Sequence, residues 1–79
     1  MTDLGDALAA NIRGERARKR WRQKDLADQL GVAQRTVSDM ESGREITVRE
    51  LVRLCRAFGV SASRLLADAD PEDRAALGL

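Results

Sequence analysis

The chain has no histidine and no tyrosine, a single cysteine, a single proline and two aromatic side chains, Trp21 and Phe58. Without histidine, the side chain that most often moves protons or binds metals near neutral pH is missing. Cys55 therefore has no imidazole to activate it and no second thiol to join it. Neither a cysteine–histidine nucleophile nor a zinc ligand set can be assembled, so we expect no enzyme, no metal and no cofactor. An intrachain disulfide is impossible, which suits a reducing cytosol. The shortage of aromatics leaves the core to leucine, valine and alanine. No apolar run approaches the roughly 20 residues of a membrane span. Asp3 and Asp6 interrupt the N-terminus, which does not read as a secretory signal. The expected setting is cytoplasmic, with no membrane partner.

What is present fits one small domain. Seventy-nine residues with 43% hydrophobic content support one core and leave no room for a separate effector-binding module. The net charge of +1 is unevenly placed. Arg13, Arg16, Arg18, Lys19, Arg20, Arg22 and Lys24 stand close together with only Glu15 among them, whereas Asp68, Asp70, Glu72 and Asp73 outnumber Arg74 after Leu66. A local basic stripe suits phosphate contact.

Gln23 to Ser42, QKDLADQLGVAQRTVSDMES, reads as helix, tight turn, helix. Leu26 and Leu30 lie one helical turn apart and face the same side. Ala27 is small where a second helix must cross closely. Gly31 can take the positive φ that ends a helix without a Cβ penalty. Val32 plugs the corner, and Val37 and Met40 give the second helix its inner face. Together these positions resemble the lambda-repressor-like, Cro-type (XRE) helix-turn-helix family, and the likeness extends through ESGR and LVRLCRAFGVSASRLL, covering about Ile12 to Leu66.

The resemblance implies an all-α, five-helix domain over residues 1–66, with the helix-turn-helix at 23–42 and an acidic tail or short extra helix at 67–79. It also implies a sequence-specific regulator of transcription, probing double-stranded DNA with its second motif helix. On that helix Gln34, Arg35, Ser38 and Asp39 point outward. Gln34 can pair with adenine, Arg35 with guanine, and Asp39 with a cytosine amine, while Ser38 is permissive. Arg22, Gln23, Thr36, Ser42 and Arg44 are expected on the DNA backbone, Arg44 with no other reach. Glu41 falls on the inner face and needs a partner. Arg16 is expected there, because the family pairs an arginine with a glutamate at the matching positions. A homodimer on a palindromic operator is expected, acting as a repressor by occupancy, with apolar area from Leu65, Leu66 and Leu77. The competing reading is an antitoxin-type interaction module, its partner a toxin, or contact with RNA polymerase.

The remaining segments are expected to frame this motif. The first helix runs from a cap at Asp3 to about Lys19, with Leu4, Leu8, Ile12 and Arg16 on one stripe. Glu15 stands where the family has an apolar residue, leaving that part of the core to Trp21. The path of the 43–46 loop is open. Thr47 and Glu50 form a capping box for a helix expected to bury Val48, Leu51, Leu54, Cys55 and Phe58. Ser61 caps a short helix ending at Leu65 and Leu66. Asp70 followed by Pro71 marks the start of one more short helix, or of a frayed tail. No strand is expected.

Overall fold

In a computed structural model describing residues 3–79, Asp3 opens helix α1 (Leu4–Arg18) by accepting from the backbone N–H of Gly5 at 3.0 Å and of Asp6 at 3.3 Å. Five further helices follow: α2 (Gln23–Leu30), α3 (Gln34–Glu41), α4 (Val48–Phe58), α5 (Ala62–Leu65) and α6 (Pro71–Ala76). Among the described residues there is no strand. The core draws a leucine-sized side chain from each of the first five helices: Ile12, Leu26, Val37, Met40, Leu54 and Leu65 are at most 2% exposed. Trp21 leans on Phe58 with ring centroids 6.0 Å apart, so it packs against the core.

The helix ends follow local chemistry. Gly31 sits at φ 69°, which lets α2 stop and the chain turn into α3. Thr47 and Glu50 cap α4 reciprocally, through bonds of 3.1 Å and 2.9 Å. At the end of α1, Trp21 N–H bonds to the Arg16 carbonyl and Arg20 N–H to that of Ala17, both at 3.0 Å. That is a Schellman ending, and its left-handed position, at φ 57°, is held by Arg20 where glycine is usual.

Asp70 and Pro71 do start a sixth helix, so the tail carries one more short helix rather than fraying. Leu65 and Leu66 are 0% and 3% exposed, and so cannot supply intermolecular apolar area; of the three residues expected there only Leu77, 57% exposed, remains. Val48, expected inside, is 79% exposed. It is the first residue of α4, off the line of Leu51, Leu54 and Phe58 that faces the core, and among the described residues no element covers it. Leu51 and Cys55 are half-buried against the core, and burial pushes the Cys55 thiol up from its ordinary value.

Gly14 lies in the middle of α1, and a Cβ built there meets nothing within 4 Å. Gly14→Ala therefore removes backbone freedom from the unfolded chain without a clash. It should stabilise the domain by about 1 kcal/mol, a rise of roughly 4–8 °C in melting temperature. An unchanged or lower melting temperature would show that α1 is not helical at this point.

Candidate nucleic-acid interface

α2 packs more extensively on α3 than any other two helices pack on each other. The crossing is fixed from below by a carboxylate. Glu41, 6% exposed at the last turn of α3, accepts from Arg16 through Nε at 2.7 Å and Nη2 at 3.1 Å. Its Oε1 also accepts from Gln23 Nε2 at 3.2 Å, and Arg16 Nη1 donates to the Trp21 carbonyl at 3.0 Å. Arg13 reaches the Glu41 backbone carbonyl. One buried acid thus ties the end of α1, the start of α2 and the end of α3 into a fixed angle. Bidentate, charge-assisted bonds define a plane as well as a distance, so the angle is held tightly.

This scaffold leaves one face of α3 open. Gln34, Arg35, Ser38 and Asp39 line, with Gln23, an open depression of about 580 Å³. The four outward residues of α3 and the first residue of α2 are therefore brought together. Ala33 offers no side-chain cap; the Thr36 N–H turns back to the Ala33 carbonyl at 3.0 Å, which leaves the N–H groups of Gln34 and Arg35 for an outside acceptor. Among the described residues Arg35 enters no ion pair or side-chain hydrogen bond. The Arg35–Asp39 pair that their spacing suggests is not formed. Its order, base before acid, is the less favourable one along a helix.

Of the residues expected on a DNA backbone only Gln23 lines this depression, and the others differ in their freedom. Arg22 is 80% exposed in its side chain and touches Asp25 only at 3.4 Å. Its backbone N–H, at 2.8 Å, is the leading cause that lowers the Asp25 carboxyl below its ordinary value. Ser42 is exposed and donates its hydroxyl back to the Ser38 carbonyl at 2.8 Å, and Thr36 is half-buried. Arg44 has a reach the sequence did not suggest. Its guanidinium forks onto Glu50 at 3.1 Å and 2.9 Å. The basic stripe is likewise partly consumed: Arg13 and Arg16 serve Glu41, Arg18 pairs with Glu15, and Lys19 lies 5.6 Å above the Trp21 ring.

The Arg44 fork, followed by the Thr47 N–H, lowers the Glu50 pKa from 4.5 to about 2. A depressed acid stabilises the fold fully above its unfolded value. Its contribution is lost as pH falls from about 4.5 towards about 2. Glu50→Gln should cost roughly 1 kcal/mol at neutral pH and flatten that part of the acid-unfolding curve. A curve of unchanged shape would remove the pair from the stability of the loop.

One network was missed from sequence. Glu15, 5% exposed, accepts from Arg64 Nε at 2.7 Å and from Arg18, pinning α1 to α5. Asn11 adds a 2.8 Å bond to the Leu65 carbonyl. The signal was present: Leu8, Ile12 and Glu15 are four and then three residues apart, which puts Glu15 on the inner stripe.

A helix-turn-helix family model matches residues 12–65, which spans the end of α1 through α5. The HTH-type transcriptional regulator PrtR of Pseudomonas aeruginosa is 34% identical over 56 residues, covering 71% of this chain and 22% of PrtR. The Neisseria hypothetical transcription factor of Neisseria meningitidis serogroup B is 38% identical over 65 residues, 81% of this chain and 61% of that protein. The chain thus spans less than two thirds of the length of either relative. The crystal structure of the hypothetical transcription factor NHTF from Neisseria superposes with a TM-score of 0.77 at 37% identity, covering 95% of this chain and 85% of that one. The chain belongs to the helix-turn-helix family, of the XRE type.

Proposed function

We propose that the chain is a sequence-specific regulator of transcription that binds double-stranded DNA with α3 in the major groove. The observation that carries this is the depression in which Gln34, Arg35, Ser38, Asp39 and Gln23 converge beside an uncapped helix start. A groove about 12 Å wide admits one helix and presents distinguishable base edges. Gln34 and Arg35 supply the bidentate donors for adenine and guanine, Asp39 accepts from a cytosine amine, and Ser38 is permissive. Gln23 uses one amide proton on Glu41 and keeps the other for a phosphate. Arg22, Thr36, Ser42 and Arg44 hold the backbone, Arg44 while sharing its charge with Glu50. Held in this way, α3 offers its donors in a fixed orientation, which favours discrimination over general adhesion.

One helix of eight residues touches few base pairs. Two copies related by a two-fold axis double the site, with half-sites about 34 Å apart. The domain measures 33 × 22 × 22 Å, so two copies fit side by side at that spacing. On this reading the chain acts in the cytosol as a repressor, by occupying its site on the duplex. Exposed Val48, Val52 and Leu77 favour protein contact as well, the property an antitoxin-type module would use. Selection from a random pool of duplexes tests the proposal. An inverted repeat with half-sites about one turn apart is the expected outcome; a pool that fails to enrich sinks it.

A further inference from the structure

α6 is an anomaly of packing. It is six residues long and none of them is buried. So short a helix has little stability of its own in water. Arg74 holds it to the body, donating to the Ser63 carbonyl at 3.0 Å, the Leu66 carbonyl at 2.7 Å and Ser63 Oγ at 2.9 Å. The acids Asp68, Glu72 and Asp73 enter no ion pair among the described residues, and Leu77, four residues after Asp73, is 57% exposed.

α4 shows the opposite surface. Arg49, Arg53 and Arg56, four and then three residues apart, form one stripe opposite the core-facing Leu54 and Phe58. All three are exposed, and among the described residues none enters an ion pair. Val52, 51% exposed, borders the stripe on one side. On the other side Arg53 and Arg56 wall an open groove of about 370 Å³ whose remaining lining is Gln29, Leu30 and Ala57. A row of unpaired guanidiniums between apolar borders complements an acidic helix with an exposed leucine. The same chain carries such a helix.

We propose that the α4 arginine stripe docks α6 of a second copy, placing Glu72 and Asp73 against Arg53 and Arg56 and Leu77 in the groove beside Leu30. Each copy carries both surfaces, and the proposed contact is reciprocal: made twice across a two-fold axis it closes into a dimer, whereas made once it would extend into an open chain. Neither surface includes α3, which stays free. A typical interface takes about 800 Å² from each partner, a substantial part of the 5078 Å² this chain exposes, so α4 and α6 must both contribute. The biological use of the dimer rests on the two-fold DNA binding proposed above, but its existence does not.

Sedimentation of the DNA-free chain over a concentration and salt series tests the interface. The expected result is a monomer–dimer equilibrium that weakens with salt. Arg53→Glu with Arg56→Glu, or Glu72→Arg with Asp73→Arg, should each weaken it about tenfold or more, and all four changes in one chain should restore it. A monomer at every concentration, a dimer indifferent to the first pair of changes, or a four-fold variant no tighter than its parents overturns the proposal. Each variant should bind a duplex bearing one half-site as the unaltered chain does. Loss of half-site binding on changing Arg53 and Arg56, with the dimer unaffected, would assign them to DNA and also overturn it. Failure of the unaltered chain to bind any half-site would count against the DNA function alone, because the sedimentation result is read without DNA.

Discussion

Glu41→Ala should destabilise the free protein by on the order of 3 kcal/mol, in a domain so small that this lowers the melting temperature by roughly 12–24 °C. The cost arises on the partner side. The Arg16 side chain is only 22% exposed and loses its bidentate acceptor, while Gln23 loses its bond too. Glu15→Ala makes an internal comparison. Its partners Arg18 and Arg64 are 64% and 55% exposed in their side chains, so water takes over their solvation. That change should cost about 1 kcal/mol. Thermal unfolding without DNA reads both. Equal losses, or an unaltered melting temperature for Glu41→Ala, would mean that Glu41 does not set the α2–α3 angle.

Arg35→Ala should cost roughly 1–3 kcal/mol per half-site, hence about 2–6 kcal/mol on a two-fold site if the half-sites contribute independently. Preference at one base pair of each half-site should relax with it, while binding to random duplex changes little. The contrast comes from Arg44. The phosphate contact proposed for it is blind to sequence, so Arg44→Ala should lower both affinities together and reduce the salt slope by about 1. Because Arg44 also braces Glu50, that variant needs its fold verified by melting first. Asp39 does not hold the Arg35 guanidinium, so Asp39→Ala should raise affinity for random duplex by removing a carboxylate near phosphates, and lower discrimination only through the loss of its own cytosine contact. If Arg35→Ala weakens specific and random duplexes equally, Arg35 is a phosphate clamp and base reading passes to Gln34.

Much of the frame is legible because it is written in short-range chemistry. Asp3, the Thr47–Glu50 box, Ser61 and the Asp70–Pro71 pair each start a helix, and Gly31 and Gly59 each end one, through contacts within a few residues. The Arg16–Glu41 pairing followed from an acid on an inner face and from the family likeness, not from spacing. Periodicity tells which side of a helix a residue occupies, but not whether another element covers it. Val48 sits at the open end of α4, and Leu65 and Leu66, read as spare apolar area, are taken up by the core. Ion pairs across the fold are also hidden from local reading. Glu15 finds Arg64 at a separation of 49 residues, and Arg44 prefers Glu50 to open solvent. The depression that gathers Gln23 with the outward face of α3 depends on the angle Glu41 imposes, which no single stretch of sequence contains.

The decisive measurement is the affinity of the unaltered chain for its selected duplex and for a shuffled duplex of the same length and composition, at one matched salt concentration. If α3 reads bases, the selected duplex binds about 10³-fold or more tightly, the range of specific over non-specific binding. Affinities equal within a few-fold would contradict it, and would reduce Arg35 and the exposed Arg22 to a general grip on phosphate.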